Sequence, residues 1–527
     1  MSQIFDYQGN ELYVGGGGNA TISDSFIGNG DTAVYYYFDA KPGDYIHIDF
    51  PDGNWSMSSR QSESYYRLFF GWRDNNGTLH SMGGIVKEPW TIQANGYDLY
   101  VSEGATNMKD AYIGFRAASG TEVPFVITWL SKTEMKDYFA DEMTDTVEKI
   151  RARQGNQAAT IIVCTDIHYR DIYEGYRPFA PFAAHGAGLA MKELARRVRI
   201  DNLVCMGDAI DGLWDAAQGK MDARDVARIL SGPDVPILYA IGNHDDNRYY
   251  ANNSGDRNFT AKEIHAEFIQ QVDERTSVGG AMQGCNYYRD IERLGLRLIV
   301  LMSINFNKQY YYTPDTQNFL TATLNSMPEG YKAVIFTHTP LLNSHTYSNA
   351  QTINGGAAVS SIIESNREKV IGLFYGHTHF DNQWMSPFVE INEGCVKVYN
   401  TEDGTCGPNA PEGAYFPERA VGDYRESLWD VVVVDKVNSL LSCIRFGAGV
   451  DRYVHLAPVE VAAGGSATLT PSVLTASSWE TRTSEASSIS IESGVVSVDA
   501  GATSGARLTA ICKDASGNME FWIIKVA

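Results

Sequence analysis

The chain has 527 residues, a length that exceeds one ordinary hydrophobic core and predicts about two to four domains. Hydrophobic residues make up 44% of the chain and charged residues 20%, a balance typical of globular rather than disordered proteins. The net charge of −22 would repel a nucleic-acid backbone and argues against broad nucleic-acid binding, and no apolar run approaches the ~20 residues of a membrane span.

The first residues, Met1-Ser2-Gln3-Ile4-Phe5-Asp6, lack the basic region and apolar stretch of a secretory signal. We therefore expect a polypeptide made in the cytoplasm. It would become virion-associated or extracellular only by a nonclassical route such as virion assembly or lysis.

Residues 1–131 predict an N-terminal β-sandwich of jelly-roll type. Aromatic and β-branched runs at 33–38 and 45–50 alternate with Gly, Asn and Asp turns, and no helical period runs through this region. Such modules often bind carbohydrate through exposed aromatics, here Trp55, Trp72 and Trp90. Packing of these tryptophans in the core is the competing interpretation.

Residues 132–156 predict a linker helix, because apolar residues from Met135 to Ile150 recur at helical spacing with charged residues between them. The seven cysteines are scattered without a paired pattern, which argues against a disulfide scaffold. Cys164 and Cys205 sit in apolar runs and are expected to pack as small hydrophobes. A disulfide bond between Cys395 and Cys406 remains an alternative for these two cysteines.

Residues 157–456 alternate strand-like apolar runs with helical stretches, which predicts an α/β domain whose ligands bind at the carboxyl ends of the strands. The predicted strands are 160–164, 203–206, 237–241, 298–301, 333–336 and 370–375. The predicted helices are 187–199, 222–230, 260–273 and 358–367. Long insertions at 246–290, 303–328 and 380–428 are expected to build the substrate pocket.

Five of the six predicted strands lead directly into a polar motif. The motifs are Asp166-Ile167-His168, Gly207-Asp208-Ala209-Ile210-Asp211, Gly242-Asn243-His244-Asp245, Thr337-His338-Thr339-Pro340 and Gly376-His377-Thr378-His379. A phosphoester resists attack because its oxygens are negative and its leaving group is poor. Two divalent metals ~3.5–4 Å apart overcome both problems by activating a bridging water and neutralising charge. The motifs supply the carboxylate, imidazole and amide ligands for such a centre.

Asp208 is the natural bridging ligand, and Asp166 with His168 would reach one metal from a single strand end. Asn243 offers a neutral oxygen, while His338, His377 and His379 offer imidazoles. This mixture suits Mn, Fe, Zn or Ni rather than Ca, with Mg as the alternative.

The order and spacing of these motifs resemble those of the calcineurin-like metallophosphoesterases over residues of about 160–380. The resemblance implies one metal held by Asp166, His168, Asp208 and His379, and a second held by Asp208, Asn243, His338 and His377. It also implies that His244 is the general acid on the leaving group and that Asp211 orients and charges it. Asp245 would fix a ligand loop.

At two positions the sequence differs from the motifs of the protein Ser/Thr phosphatases, which argues against that branch of the family. Ile241 stands where protein Ser/Thr phosphatases carry Arg, and Gly212 follows Asp211 where their motif continues with Arg. The motifs look more like those of bacterial phosphodiesterases and nucleotidases. They leave the choice between monoester and diester open.

Residues 457–527 are rich in Ser, Thr, Ala and Val and resemble bacterial immunoglobulin-like domains of group 2. The runs at 465–470, 488–491 and 494–498 with Trp479 carry this resemblance, together with the turn Ala500-Gly501-Ala502 before a penultimate strand. It implies a β-sandwich used on bacterial or phage surfaces.

The sequence as a whole favours a two-metal phosphoester hydrolase, with a phosphodiesterase of envelope or surface phosphodiesters preferred. Cell-surface glycan or virion partners would bind through the β-rich modules. An intracellular nucleotide phosphatase or phosphodiesterase is one alternative. A non-catalytic carbohydrate-binding or structural virion protein is another. His345 would either contact a phosphate or be a loop histidine whose hydrogen bonds are made within the protein.

Overall fold

A computed structural model provides the fold. Beyond residue 138 it describes residues 139–169, 180–212, 216–247, 259–270, 285–305, 309–346, 352–397, 409–419, 424–482 and 488–527. Before that it describes 3–6, 11–12, 15–21, 32–38, 41–42, 45–49, 55–56, 68–84, 91–92, 97–100, 107–115 and 126–130. The chain divides into two compact units. One comprises Met1–Ala140 and Tyr169–Gly186, and the other comprises Asp141–His168 and Ala187–Ala527.

The N-terminal residues form two five-stranded sheets, ordered β10-β5-β12-β1-β2 and β3-β4-β11-β7-β8, and a two-stranded pair β6-β9. Their strands are β1 (Gln3–Asp6), β2 (Glu11–Leu12), β3 (Gly15–Thr21), β4 (Thr32–Phe38), β5 (Tyr45–Asp49), β6 (Trp55–Ser56), β7 (Leu68–Asp74), β8 (Leu79–Gly84), β9 (Thr91–Ile92), β10 (Tyr97–Tyr100), β11 (Met108–Phe115) and β12 (Val126–Leu130). Trp72 is half-buried and stacks on His80 with ring centroids 4.8 Å apart. The Trp55 side chain and Trp90 lie outside the described residues, and the jelly-roll assignment stays a prediction.

The predicted linker helix is present as α1 (Ala140–Arg153). Met143, Thr146, Val147 and Ile150 are buried along one face, as the helical spacing requires. Residues 131–138, the start of the predicted helix, lie outside the described residues.

The following segment builds two large sheets with their helices, as the alternating pattern predicts, and one two-stranded sheet from Ile304–Asn305 and Gln309–Tyr310. The helices are α2 (Ala180–Arg197), α3 (Ala216–Leu230), α4 (Ala261–Ile264, continued by the π-helical turn His265–Ile269), α5 (Pro314–Asn325) and α6 (Gly356–Ser365), with 3-10 turns at Glu292–Leu294, Asn343–His345 and Tyr424–Glu426. The strands are β13 (Ala158–Cys164), β14 (Asn202–Cys205), β15 (Ile237–Tyr239), β16 (Tyr287–Ile291), β17 (Leu296–Val300), β18 (Ile304–Asn305), β19 (Gln309–Tyr310), β20 (Lys332–Phe336), β21 (Val370–Tyr375), β22 (Asn382–Trp384), β23 (Glu390–Asn392), β24 (Leu428–Asp435) and β25 (Leu440–Gly447).

The six-stranded sheet has the order β16-β17-β20-β21-β23-β22, and its central strands run parallel. The other sheet begins β15-β14-β13-β24-β25 and is parallel across its first three strands. Every residue of β13 is buried, which explains its uninterrupted apolar run.

The predicted insertions contain more regular structure than expected. Helix α5 lies within 303–328, β16 begins within 246–290, and β22 and β23 lie within 380–428. Thr313 caps α5 by accepting a hydrogen bond from the Thr316 backbone N–H, and Pro314 occupies the first turn. Leu320 and Leu324 of this helix are fully buried in the core of the six-stranded sheet. The interpretation of 303–328 as a loop was therefore wrong, because a short capped helix of modest amphipathicity carries a weak periodic signal.

The C-terminal residues extend the first sheet. Its order continues β25-β26-β32-β31-β28, giving nine strands in all, and β27-β30-β29 form a separate sheet. These strands are β26 (Arg452–Val461), β27 (Ser466–Thr468), β28 (Ser478–Arg482), β29 (Ile489–Glu492), β30 (Val495–Val498), β31 (Arg507–Lys513) and β32 (Met519–Val526). Val496, Ile524 and Trp522 belong to one core cluster drawn from both sheets. The predicted boundary after residue 456 falls inside β26, and the immunoglobulin-like assignment stays a prediction.

The free cysteines Cys164 and Cys205 are buried neighbours on β13 and β14, as predicted. Cys395 is also a buried free thiol, and Cys406 lies outside the described residues. Within the described part of the chain, no helix is long and apolar enough to cross a membrane.

Candidate metal centre

The site forms where the carboxyl ends of strands from both sheets meet. β13, β14 and β15 of the nine-stranded sheet lead to Asp166, Asp208 and Asn243. β20 and β21 of the six-stranded sheet lead to His338 and His377. Residues separated by up to 211 positions in the chain come into direct contact here.

The backbone of this site is held in an unusual conformation. Asp166, His168, Asp208, His377 and His379 all have positive φ angles, between 48° and 70°. Non-glycine residues rarely adopt this left-handed region, and strain of about 1–3 kcal/mol per residue persists where the surrounding structure imposes it, often at functional sites. Five of the nine non-glycine residues that show it in the described chain belong to the motifs.

The motif glycines are explained by close approach of the loops. A Cβ atom at Gly242 would lie 2.2 Å from the Asp208 carboxylate, and one at Gly376 would lie 2.5 Å from the Asp166 carboxylate. Any side chain at these positions would displace a predicted ligand.

The first cluster joins Asp166, His168 and His379. His379 Nε2 lies 3.1 Å from Asp166 Oδ1 and 3.3 Å from His168 Nε2. Oδ2 of Asp166 accepts hydrogen bonds from the Thr165 hydroxyl at 2.7 Å and the His377 backbone N–H at 2.8 Å. These bonds fix the carboxylate and leave Oδ1 facing the two imidazoles.

The second cluster joins Asp208, His338 and His377. His338 Nε2 lies 3.3 Å from Asp208 Oδ2, 3.1 Å from Asn243 Oδ1 and 3.2 Å from His377 Nδ1. Nδ1 of His338 donates to the Met206 carbonyl at 2.8 Å, which leaves Nε2 as the nitrogen directed at the cluster.

Asp208 connects the two clusters. Its Oδ2 atom is 3.3 Å from His338 Nε2 and 3.7 Å from His168 Nε2. Its Oδ1 atom accepts the His244 backbone N–H at 2.8 Å. The carboxylate is therefore oriented by its neighbouring loop and shared by both ligand sets.

The donor set fits divalent metals. Asp166 Oδ1 is buried and has no assigned hydrogen-bond partner among the described residues, although His379 Nε2 lies 3.1 Å away. Such an oxygen is suited to bind a cation. Ligands about 2.1 Å from one metal lie roughly 3.0–3.4 Å from each other, depending on coordination geometry. The contacts of 3.1–3.3 Å between His379, Asp166 and His168, and between His338, Asn243 and His377, fall in that range.

Burial holds three of the imidazoles in the neutral form that binds metal. It lowers the pKa of His168 to about 3 and that of His379 to about 4, and the charge of Lys397 acts in the same direction on both. It lowers the pKa of His377 to about 3, with His338 adding to the effect.

His338 behaves differently because it faces Asp208. Burial opposes its charged form, but the Asp208 carboxylate raises the pKa of His338 to about 9. Burial would raise the pKa of Asp208 itself, yet the surrounding imidazoles hold it well below its usual range. The ionised carboxylate thus attracts positive charge, which a divalent cation would supply in place of the proton.

The second motif places Asp211 against both histidines. Its carboxylate Oδ1 lies 3.3 Å from His168 Nδ1, and its backbone carbonyl accepts a hydrogen bond from His244 Nδ1 at 2.7 Å. His168, Asp211 and His244 also offer ligand-type atoms within 4.8 Å of one another. The direct contact that orients His244 therefore comes from the main chain of Asp211, a detail that motif spacing does not reveal.

Asp245 ties two ligand loops together. Its Oδ1 accepts the backbone N–H groups of Ala209 at 2.8 Å and Ile210 at 3.2 Å, and Oδ2 accepts that of Gly242 at 2.8 Å. The predicted loop-fixing contacts are thus present.

Other neighbours were not identified from the sequence. Lys397 is fully buried next to the Asp166 loop, with its backbone N–H 3.3 Å from the Asp166 carbonyl. The ring of Tyr310 lies 4.8 Å from that of His377. Neither Lys397 nor Tyr310 belongs to one of the five motifs.

His345, singled out in the sequence, is a satisfied buried histidine. Its Nδ1 lies 3.1 Å from Glu390 Oε2, and its ring stacks on Trp384 at 4.0 Å.

A buried ionic network supports the segment that follows His379. Arg445 binds both carboxylate oxygens of Asp381, at 2.8 and 3.0 Å, and also binds Asp430. Arg452 binds Glu393 at 2.8 Å. Burial raises the pKa of Glu393 to about 8, which reduces the excess negative charge among these groups.

Residues 159–381 match the family model described as calcineurin-like phosphoesterase. The chain contains a calcineurin-like phosphoesterase domain. The family uses divalent metals, in agreement with the ligand clusters of this domain.

Individual relatives of the domain are distant. Sphingomyelin phosphodiesterase A of Dictyostelium discoideum is 25% identical over 206 residues, which is 35% of this chain and 33% of that protein. The match thus spans about a third of that relative. A dimetal phosphatase of Danio rerio matches with 15% identity and a TM-score of 0.40, covering 57% of this chain and 99% of that one. The phosphopantetheinyl hydrolase of Mycobacterium tuberculosis matches with 12% identity and a TM-score of 0.30, covering 46% and 92%.

Proposed function

We propose that the phosphoesterase domain is a dinuclear phosphodiesterase. The observation that carries this proposal is the Asp208 carboxylate, which lies against both ligand clusters. One metal would be held by Asp166, His168 and His379, and the other by Asn243, His338 and His377, with Asp208 common to both. When bound, divalent metals neutralise phosphoryl oxygens and lower the pKa of water.

His244 is proposed as the general acid for the leaving group. Its Nδ1 donates to the Asp211 carbonyl at 2.7 Å, so Nε2 is the nitrogen that exchanges a proton with substrate. Nε2 lies 3.9 Å from Asp208 Oδ2, which places it beside the reacting centre without making it part of either metal-ligand cluster as assigned. The Asp211 carboxylate adds negative charge that favours the imidazolium.

The proposed substrate is an envelope or surface phosphodiester. The name of the Dictyostelium relative denotes a phosphodiesterase and supports diester over monoester. The strand-rich segments at 1–131 and 457–527 would dock glycan or virion partners. The first is joined to the central 157–456 through the helix at 132–156, and the second follows residue 456 directly. On this proposal the protein acts at a virion or outside the cell after lysis.

The test is a side-by-side assay of bis(p-nitrophenyl) phosphate and p-nitrophenyl phosphate. Metal-stripped protein is reloaded separately with Mn, Fe, Ni, Zn or Mg, and metal per chain is measured with turnover. We expect diester turnover that requires metal, a stoichiometry of two, and loss of activity in Asp208→Asn. Asp225→Asn, which alters a partly exposed carboxylate on helix α3, is the matched control.

Each other outcome redirects the assignment. Monoester preference would favour a phosphatase, and turnover of nucleotides far above glycerophosphodiesters would favour the intracellular alternative. Folded, metal-loaded protein with no turnover of any phosphoester would make the β-rich modules the functional part.

A further inference from the structure

A cleft far from the metal centre collects positive charge on this acidic chain. It has a volume of about 280 Å³ and is lined by Lys332, Arg367, Lys436 and Arg507, with Glu368 as the carboxylate among its lining residues. Lys332 begins β20, whereas His338 follows the opposite end of that strand. Six residues of extended chain separate them by about 20 Å, so the cleft is distinct from the phosphoesterase site.

The positive charges are held in place by the fold. Lys436 Nζ donates to the carbonyls of Leu294, Gly295 and Gly330 at 2.8, 3.0 and 3.1 Å, and Lys332 Nζ donates to the Glu368 carbonyl. These acceptors are uncharged carbonyls, so none of these hydrogen bonds pairs either ammonium group with a carboxylate.

The two guanidinium groups are poorly neutralised. Arg507 Nε is buried and has no hydrogen-bond partner among the described residues. Burial lowers the pKa of Arg507, and the charge of Arg367 lowers it further. Glu368 lies 3.8 Å from Arg367 Nε, but its side chain is 91% exposed and is screened by water. The Nε atom of Arg507 is thus a buried donor without a partner among the described residues, and the charge of Arg367 acts on the same guanidinium. An anion bound beside the two arginines would offset both costs.

The remaining wall of the cleft is apolar. Phe388, Leu456 and Ile523 line it together with the cations. A ligand that satisfies the whole cleft therefore has an anionic head for the guanidiniums and an apolar body for this wall.

From this juxtaposition we infer that the cleft is a binding site for a small amphiphilic organic anion, with Arg507 and Arg367 as the anion-binding residues. The field of the four cations attracts such a ligand against the net charge of −22 carried by the whole chain. Phosphonate and carboxylate heads share the required chemistry.

Calorimetric titration of the intact, metal-loaded chain tests the inference. The probes are phenylphosphonate, benzoate, methylphosphonate and inorganic phosphate. Phenylphosphonate or benzoate should bind at a site that Arg507→Gln weakens at least about 10-fold, the loss expected when one charge-assisted hydrogen bond is removed. Arg367→Gln should weaken probe binding at the same site. This variant provides the test if Arg507→Gln fails to fold.

Controls separate this site from the metal centre. Arg228→Gln, an exposed arginine paired with Asp225, should bind the probes like the unmodified chain. Diester turnover should be unchanged in Arg507→Gln and Arg367→Gln, and cleft binding should persist in Asp208→Asn. Probe binding that Asp208→Asn abolishes but neither cleft variant weakens would overturn the inference, as would equal affinity for methylphosphonate and phenylphosphonate.

Discussion

At the residue scale, the role proposed for His244 as proton donor can be tested separately from metal binding. His244 is held by the Asp211 carbonyl and stands outside both metal-ligand clusters as assigned, so its removal should spare metal binding. We predict that His244→Ala keeps its metal content but lowers kcat by about 10²–10⁴-fold for glycerophosphodiesters, whose alkoxide leaving group needs a proton. The loss should be smaller for bis(p-nitrophenyl) phosphate, which releases a stable phenolate.

Steady-state rates on both substrates and metal analysis check this prediction. His80→Ala, at a half-exposed histidine in the N-terminal unit, is the control and should change neither rate. An equal loss of kcat on both substrates, or a loss of bound metal, would show that His244 does not act as the proton donor to the leaving group.

The convergence of the candidate ligand side chains could be predicted because each lies in a polar motif that follows a strand. The positive φ angles of Asp208 and His377 could not be predicted. Asp and His adopt this conformation more often than most non-glycine residues, but the surrounding structure decides which of them do. Lys397 and the network around Arg445 were missed for a related reason. A lone buried charge looks like a surface charge until its partners, contributed by distant strands, are known.

Among the strands and helices, too, the elements that depend on tertiary contacts were the ones that the sequence did not predict. Long buried strands such as β13 were predicted closely, since their apolar runs are continuous. Helix α5 and strands β22 and β23 were assigned to loops, since they are short and owe their stability to tertiary packing.

Asp245 holds the loops after β14 and β15 at a fixed separation. Asp245→Asn would replace one acceptor oxygen with an N–H₂ group facing backbone N–H donors. We predict a loss of about 1–3 kcal/mol in the free energy of unfolding. We also predict a loss of 10–100-fold in metal affinity, the usual range for residues that position ligands. Urea unfolding and metal titration measure these effects. If Asp245→Asn lowers the free energy of unfolding but leaves metal affinity unchanged, the hydrogen bonds of Asp245 do not position the metal ligands.

Helix α1 carries a pH-sensitive contact. Glu142 Oε1 accepts the Gly447 backbone N–H at 2.9 Å, and burial raises the pKa of Glu142 to about 7. The folded state therefore holds a proton that the unfolded chain releases near pH 4.5, and this group's contribution to stability falls as pH rises from that value to about 7. Glu142→Gln keeps the acceptor without the charge.

We predict that Glu142→Gln raises the free energy of unfolding, relative to that of the unmodified chain, by more at pH 8 than at pH 5. The difference between the two pH values should be up to about 3 kcal/mol. Urea unfolding at both pH values gives this double difference. Glu148→Gln, at an exposed position of the same helix, should show none. A pH-independent difference for Glu142→Gln would contradict the assigned pKa.

At the scale of the whole molecule, the sheet crosses the boundary that composition suggests at residue 456. β26 pairs with β25 of the phosphoesterase segment through Arg452 to His455, and with β32 along its length up to Val461. The Asp451 backbone N–H donates to the Asn518 side chain at 2.9 Å, and its carbonyl accepts from Met519 at the same distance. A sheet shared in this way should make the C-terminal segment and the metal centre unfold together.

A matched pair on β30 tests this coupling. Val496 is fully buried in the C-terminal core, whereas its neighbour Val495 is 41% exposed. Val496→Ala should cost about 1–3 kcal/mol through lost burial and the cavity left behind, and Val495→Ala close to zero. If the segments unfold as one, Val496→Ala lowers the urea midpoint of diester turnover by the same amount as the midpoint of tryptophan fluorescence. An activity midpoint that stays in place while the fluorescence midpoint falls would mean that the C-terminal segment is an independent module, as its immunoglobulin-like sequence pattern implies.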